Sequence, residues 1–321
     1  MSRPSAIDDG RGRGARRPSE INSSGWRDIL LRTKSEITGD HMPIVSAGVA
    51  FYTLLSLFPA IAAVISVWGL LADPQRIGQQ IEALTAYLPS QAAGIISSQA
   101  RDVASGAGGT ITFTAAGGLL FAFWSASKGV KSLIEGLNIA YGEDEKRGFI
   151  RLNLVALGLT LAFILGLVVV LGLIAVLPVL LGGLGLDGIV ATLATLLRWP
   201  LLFVLMMLAL AAIYRYGPSR DAPRWRWVSW GAVAATVLWV AGSIAFSAYV
   251  SNFGRFNETY GSIGAIIILM TWLWLSSFIV LAGAELNAEM EHQTGRDTTQ
   301  GAPKPRGRRG ARMADTVGER R

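Results

Sequence analysis

The chain alternates between long apolar runs and shorter polar connections. Six runs are each close to the ~20 residues that a helix needs to cross a bilayer core of ~30 Å. They are residues 45–71, 110–127, 152–180, 193–214, 228–250 and 262–284. The pattern predicts an all-α, polytopic membrane protein in which six transmembrane helices form a bundle.

The composition agrees with this interpretation. Hydrophobic residues make up 51% of the chain and charged residues 16%, whereas a soluble domain averages ~25% charged residues. The chain has no cysteine, which excludes disulfides, cysteine zinc sites and thiol nucleophiles. The first 25 residues are polar and rich in arginine, so we expect the first apolar run to act as both signal and anchor.

The basic residues predict the orientation of the six runs. Of the 29 Lys and Arg residues, 25 lie before the first run, in the second and fourth connections, or after the sixth run. Positive charge concentrates on the cytoplasmic side of a membrane protein. We therefore predict that both termini are cytoplasmic and that the high pI reflects topology.

Polar tails flank the predicted transmembrane domain, which we place at residues 25–293. Residues 1–24 and 294–321 are rich in Gly, Pro and Arg, a composition typical of disorder. We predict that these tails attract anionic lipid headgroups, which makes membrane lipids the expected partner. RNA is the alternative partner, but no aromatic interleaving or binding motif supports it, so we expect no nucleic acid.

Apolar residues at helical spacing also occur outside the six runs. In the connection 73–109, an Asp-Pro start and two such patterns predict two short amphipathic helices on the outer face. Interfacial amphipathic helices are also predicted before the first run and at 128–141. The stripe before the first run consists of Trp26, Ile29, Leu30, Thr33 and Ile37.

Polar and small side chains share one arc of the first run. At ~100° per residue the arc is about 160° wide. Its members are Ser46, Gly48, Tyr52, Thr53 and Ser56. The arc either lines a pathway or packs against neighbouring helices. Pro59, within this run, should kink the helix. Pro200 interrupts the fourth run. Two interrupted helices at matching positions of the two halves are a weak parallel to the broken helices of inverted-repeat transporters.

The sixth run supplies the other candidate pathway residues. Trp272 and Trp274 lie near its middle, although tryptophan favours the membrane interfaces, and Glu285 closes its cytoplasmic end. The alternative is that both tryptophans are packed core residues. Charge is nearly absent from the six runs, which disfavours a proton pump or ion exchanger centred on a carboxylate. It favours a neutral or amphipathic substrate, such as a lipid.

The residues give no support to an enzyme. The two histidines, His41 and His292, lie far apart in the sequence, and no nucleophile, zinc or phosphate-binding motif occurs. We therefore predict no catalytic residues, no metal ligands and no cofactor.

Four stretches of the chain resemble the YihY/BrkB family of bacterial inner-membrane proteins. They are "SAGVAFYTLLSLFPAI", "LNIAYGEDEKRGFIRLN", "IYRYGPSR" and "YGSIGAIIILMTWLWLSSFIVLAGAELNAEME". The resemblance covers roughly residues 25 to 293 and implies six transmembrane helices in the bacterial cytoplasmic membrane. Such families have also carried a ribonuclease BN label, which the residues here do not support.

These observations predict a transporter or permease-like protein whose substrate the sequence does not identify. The alternative is an envelope scaffold that holds partners with its bundle and lipid with its tails. A membrane-associated ribonuclease is the third and disfavoured hypothesis.

Overall fold

The computed structural model describes residues 11–71, 113–176, 189–253 and 262–321. The connection in which the sequence predicts two outer amphipathic helices lies outside these residues, as do the first ten residues of the N-terminal tail.

The described residues form a helical bundle, which confirms the predicted fold class. A short 3₁₀ turn precedes the first helix, and a π-helical turn, Gly172–Val176, extends the fourth. The helices are α1 Ser23–Gly39, α2 Met42–Leu71, α3 Phe113–Ala140, α4 Phe149–Leu171, α5 Ile189–Tyr216, α6 Trp225–Phe253, α7 Ser262–Gln293 and the short α8 Arg312–Asp315.

Helices α2 to α7 correspond to the six apolar runs. Among the described residues, four segments are long and apolar enough to cross a membrane, and α2 adds a shorter apolar segment, Met42–Leu57. The four segments are Phe149–Ile174, Leu196–Tyr216, Trp225–Ser251 and Ile266–Gln293. This pattern supports a membrane location, whereas the side of the membrane on which each terminus lies stays a prediction.

Two helices continue beyond the apolar runs that predicted them. The expected interfacial helix at 128–141 is instead the C-terminal part of α3, and α7 continues from residue 284 to Gln293. In α3, Gly129 does not end the helix, because it lies where α3 packs closely on α2: a Cβ atom there would overlap the hydroxyl of Ser56. In α7, neighbouring segments provide partners for Asn287, Glu289 and Glu291 beyond the apolar run.

Helix α7 is central to the packing, since it contacts α1, α2, α3 and α6, while α2 packs extensively along α3. The closest approach of α6 and α7 occurs at two glycines. A Cβ atom on Gly231 would overlap the carbonyl oxygen of Gly283, and one on Gly283 would lie 2.5 Å from the hydroxyl of Tyr214. Small residues thus allow these backbones to meet, as packing within lipid requires.

The four basic segments of the sequence meet at one end of the bundle, which we call the polar end. It comprises α1 with the residues before it, the loops 141–148 and 217–224, the end of α7, and residues 294–321. Backbone hydrogen bonds tie these segments together, from Gly295 to Arg13 (2.8 Å) and from Arg224 to Thr298 (2.9 Å). The segments that the charge pattern assigns to one side therefore share one end of the structure.

Residues 294–321 are packed against the other segments of the polar end, whereas the sequence predicts a disordered tail there. Arg309 is buried, and its guanidinium group donates to the carbonyl oxygens of Gly295 and Arg296, both at 3.1 Å. The backbone N–H of Arg312 donates to Glu143 at 2.6 Å. Composition alone did not reveal this order, because arginine side chains bonded to backbone carbonyls replace the missing apolar core.

Candidate functional site

The polar arc of α2 is divided between two environments. Ser46 and Ser56 are buried, and their hydroxyls donate within α2 to the carbonyl oxygens of Met42 (2.7 Å) and Thr53 (3.0 Å). Thr53 and Ser56 face Gly129 of α3. Tyr52 is about half exposed. The part of the arc formed by Thr53 and Ser56 therefore packs against α3.

Gly48 and Pro59 differ from the buried hydroxyls. Apart from its chain neighbours and the backbone of its own helix, no heavy atom of the described residues lies within 4 Å of the position that a Cβ atom on Gly48 would take. Pro59 lies within α2, which continues to Leu71. The exposed members of the arc are thus Gly48 and Tyr52.

The two tryptophans of α7 point to different neighbours. Trp272 packs edge-on against Trp239 of α6, with ring centroids 5.8 Å apart. The indole N–H of Trp274 donates to the carbonyl oxygen of Pro43 at 2.9 Å, and its ring stacks on Phe278. Trp274 therefore bridges α7 to the first turn of α2.

An open groove of about 330 Å³ lies between α2 and α7 beside Trp274. No charged side chain contributes to its wall. The residues lining it are Ala47, Ala50, Met270, Thr271 and Trp274. We call it the α2–α7 groove. Of the residues that the sequence singled out, Trp274 lines the groove. On the α2 side, the lining residue Ala47 lies between Ser46 and Gly48 in the chain.

Glu285 lies on the same helix at the polar end. Its side chain is fully buried, and among the described residues neither carboxylate oxygen has a hydrogen-bonding donor. The carboxyl group of Asp40, at the end of α1, lies next to it. Burial raises the pKa of Asp40 above its usual range. The predicted site residues are thus not gathered in one place, since Glu285 belongs to the polar end and Trp274 to the groove.

The face of α7 that carries Glu285 also carries a buried ion pair. Glu289, one helical turn further on, pairs with the Arg32 guanidinium group. Arg32 also donates to the side-chain oxygen of Gln293 at 2.8 Å and to the carbonyl oxygen of Glu319 at 2.9 Å. Because residues four apart share a helix face, this side of α7 is aligned with α1.

The opposite face of the same turns contacts α6 and the 217–224 loop. The Asn287 side-chain oxygen accepts from the backbone N–H of Gly231 at 2.8 Å. Glu291 accepts two bonds from one guanidinium nitrogen of Arg220, at 2.7 and 2.8 Å, and a third from the hydroxyl of Thr298 at 2.6 Å. The side chains of Arg220 and Glu291 are fully buried. Arg220 also lies 4.6 Å from the ring centroid of Tyr141. The end of α7 thus carries polar side chains on two faces. Asn287, Glu289 and Glu291 have partners among the described residues, whereas Glu285 has none.

Sequence reasoning singled out Glu285 but missed its neighbours Arg32, Asp40, Glu289 and Glu291. Acidic and amide residues at every second position of "ELNAEMEHQ" were a usable signal, because this spacing places polar groups on both sides of a helix. The arginines that pair with Glu289 and Glu291 lie more than 70 positions away in the chain. The sequence therefore does not show which residues pair.

Within the described ranges, no three His, Asp or Glu side chains are grouped so that they could hold a metal ion. His41 is exposed at the junction of α1 and α2, and His292 lies 3.4 Å from Glu289. The two histidines therefore belong to the polar end as separate side chains.

Comparison with known proteins adds family information. A family model described as virulence factor BrkB matches residues 33–308. The chain is 33% identical over 252 residues to the ribonuclease-like protein YfkH of Bacillus subtilis, covering 76% of this chain and 88% of YfkH. It is 28% identical over 270 residues to a UPF0761 membrane protein of Aliivibrio fischeri, covering 83% and 84% of the two chains.

A shorter match joins the chain to a UPF0761 membrane protein of Vibrio cholerae, with 36% identity over 114 residues, or 34% of this chain and 38% of that protein. No solved structure gives a significant match.

Proposed function

The chain belongs to the virulence factor BrkB family of membrane proteins, and on this premise we propose that it is a transporter or permease-like protein for a neutral or amphipathic substrate. A membrane lipid is the substrate class that fits the groove best. The proposal places the protein in the bacterial cytoplasmic membrane, with both termini in the cytoplasm.

The α2–α7 groove is the observation that supports this function. Its wall combines apolar side chains with the hydroxyl of Thr271 and the indole of Trp274. A pocket with mostly apolar walls and few polar groups suits an amphipathic molecule. The groove also lies on the two helices that carry the polar arc and the unusually placed tryptophans.

A flux assay with a fluorescent phospholipid tests the proposal. Full-length protein is reconstituted into liposomes, and the loss of fluorescence to a membrane-impermeant quencher reports lipid movement between leaflets. Ala47→Trp should bring the flux down toward that of empty liposomes, because the indole fills the groove. Ala47 is exposed on α2, so the larger side chain does not enter a packed core.

Ala241→Trp is the matched control, since Ala241 is also exposed but lies on α6. It should keep the wild-type flux. Equal flux from wild-type protein and empty liposomes would contradict lipid transport, and equal inhibition by the two variants would contradict a role for the groove.

The predicted orientation can be measured directly, because the chain has no cysteine to replace. Ala302 is exposed in the C-terminal segment, so Ala302→Cys adds one accessible thiol. An impermeant maleimide should label it in inverted inner-membrane vesicles and spare it in intact spheroplasts. The opposite result would reverse the proposed topology.

The basic C-terminal segment supports lipid binding and keeps the scaffold alternative testable. Residues 301–308 are exposed and include Lys304, Arg306 and Arg308. Deleting the whole segment would remove the buried Arg309, so Arg306→Ser with Arg308→Ser is the sharper change. A transporter should keep its flux while losing bound anionic lipid. Two results together would favour a scaffold: the wild-type protein shows no flux, and the double variant no longer associates with partner proteins.

Our proposal assigns no catalytic step to this chain. Metal analysis and RNA cleavage by highly purified protein test this assignment. Cleavage that copurifies with the protein and stops on addition of a chelator would overturn it.

A further inference from the structure

The carboxyl group of Glu285 lies between α7 and α1 in a setting where a charge is costly. It is fully buried, and no described donor bonds to either oxygen. The carboxyl group of Asp40 faces it from the end of α1. Two ionised carboxylates can only accept hydrogen bonds, so this contact is a hydrogen bond only when one of the two carries a proton.

The other charged groups nearby do not replace that proton. Arg32 and His292 are engaged with Glu289, one turn along α7. Glu36, from α1, adds a further carboxyl group, whose pKa is raised by burial. The titratable groups that face Asp40 or Glu285 from the surrounding elements include Glu36, His41, Tyr141, Glu289 and Arg312. Glu285 is therefore the member of this cluster without a counter-ion.

Asp40 differs from Glu285 in its access to water. It is partly exposed and lies at the end of α1, where the chain turns into α2. The next residue, His41, has a positive φ of 51°. The pair thus joins the buried end of α7 to the turn between α1 and α2, and the partly exposed Asp40 gives a proton a short route to water.

We propose that Asp40 and Glu285 form a proton-binding site, which holds one proton between two carboxyl groups at neutral pH and releases it to water at alkaline pH. With the proton bound, the Glu285 hydroxyl donates to Asp40 and joins α7 to α1. After release, two negative charges face each other and weaken this contact. Proton binding would thereby control how firmly α1 is held against the bundle.

This site does not depend on the proposed transport function, because it requires neither a substrate nor the groove. It differs from the ion-coupled pump that the sequence disfavoured. That conclusion concerned charge within the apolar runs, whereas Glu285 lies just beyond the sixth run.

Infrared spectroscopy of the full-length protein tests the site without any transport assay. A protonated carboxylic acid has a carbonyl stretching band that is distinct from that of a carboxylate. At neutral pH the wild type should show this band, Glu285→Gln should lack it, and the control Glu135→Gln should retain it. Glu135 is an exposed residue of α3. Absence of a band that depends on Glu285 at neutral pH would overturn the proposal.

A second variant tests the pairing itself. Asp40→Asn removes the like charge and offers an amide donor to an ionised Glu285, so the pH midpoint of the band should fall by about one unit or more. An unchanged midpoint would show that Asp40 does not share the proton.

Thermal unfolding of Glu285→Gln provides a further test. The glutamine amide can donate to Asp40 as the protonated acid does, so this variant should match the wild type at neutral pH. It should also lose less stability at alkaline pH. A variant that fails to fold, or that is as sensitive to alkali as the wild type, would indicate an ionised Glu285 and contradict the site.

Discussion

The polar end and the α2–α7 groove are held together by opposite means. At the polar end, buried ion pairs such as Arg32–Glu289 and Arg220–Glu291 join segments that are distant in sequence. Beside the groove, the hydroxyl of Ser46 bonds within its own helix. Contacts there depend on small residues, apolar surface and the hydrogen bond from the Trp274 indole to the carbonyl oxygen of Pro43.

The difference has consequences for function. Ion pairs out of water have demanding geometry and leave a costly charge when one partner is removed. The polar end should therefore behave as a rigid unit. Apolar contacts are less directional, so the groove can change its width at lower cost, as the proposed passage of an amphipathic molecule would require. The polar end is thus the more rigid of the two regions.

Arg32→Ala should break the polar end with the largest effect. The substitution leaves Glu289 buried without its ion-pair partner and should lower the free energy of unfolding by about 3–5 kcal/mol. Thermal unfolding in detergent, followed by intrinsic tryptophan fluorescence, measures the loss. Arg27→Ala, on the exposed side of α1, should stay within about 0.5 kcal/mol of wild type.

The double variant Arg32→Met with Glu289→Leu sharpens this test. Since both charges are removed, it should recover much of the lost stability. Equal stability of the Arg32→Ala and Arg27→Ala variants would show that the pair contributes little and would remove the contrast with the groove.

Gly231→Ala should have the next largest effect, on the contact between α6 and α7. The added methyl group overlaps the carbonyl oxygen of Gly283 and displaces Asn287, and overpacking of this kind costs about 1–3 kcal/mol. The same unfolding assay measures it.

Gly158→Ala in α4 is the matched control, because no heavy atom lies within 4 Å of its Cβ position. It should be neutral or stabilising by up to about 1 kcal/mol. If both alanine variants behave alike, close backbone contact is not what holds α6 to α7.

His41→Gly should give a smaller effect of the opposite sign at the turn between the two regions. His41 has a φ of 51°, and a left-handed conformation costs a residue with a Cβ atom about 1–2 kcal/mol. Glycine relieves this strain but gains entropy in the unfolded chain, so we expect a net stabilisation of ~0.5–1 kcal/mol. The control Lys34→Gly, within α1, should instead lower the free energy of unfolding by ~1 kcal/mol. A loss of stability in His41→Gly would show that the turn is unstrained.

The smallest effect is expected at the more exposed ion pair of Glu145 and Arg147. Hydrogen bonds from Arg147 lower the pKa of Glu145 from 4.5 to about 2. A lowered carboxyl pKa stabilises the folded state above pH 4.5, and this contribution is lost as the pH falls toward about 2.

Solvent screens this pair, so Glu145→Gln should cost about 0.2–1 kcal/mol at neutral pH, and less as the solution is acidified. Unfolding measured at neutral and acidic pH checks both points. A cost as large as that of Arg32→Ala would show that burial is not what distinguishes the two kinds of pair.

The helices could be predicted from the sequence because apolar length and charge distribution directly reflect the membrane. The predicted run 228–250 lies within α6, Trp225–Phe253, for example. The end of α7 could not be predicted in the same way, because hydropathy falls at Glu285 although the helix continues to Gln293. Its stability depends on partners such as Arg32, whose pairing is set by the fold.

The candidate site was predicted in part. The sequence identified Trp274 and Glu285 by their unusual positions, and for the arc in α2 it left open whether the residues line a pathway or pack against neighbouring helices. It could not assign Ser56 to a contact with Gly129, since close approach of two helices is not encoded by spacing along one of them. The groove itself arises from the distance between α2 and α7, which only the folded chain defines.

Photocrosslinking with a phospholipid that carries a photoreactive acyl chain tests the central claim most directly. After irradiation of the reconstituted protein, mass spectrometry maps the adducts to peptides. The account predicts enrichment at Ala47, Ala50 and Met270 to Trp274 over the exposed faces of α4 and α6, and loss of that enrichment in Ala47→Trp. An even distribution of adducts over all exposed helix faces, unchanged in Ala47→Trp, would contradict the assignment of the α2–α7 groove as a lipid-binding site.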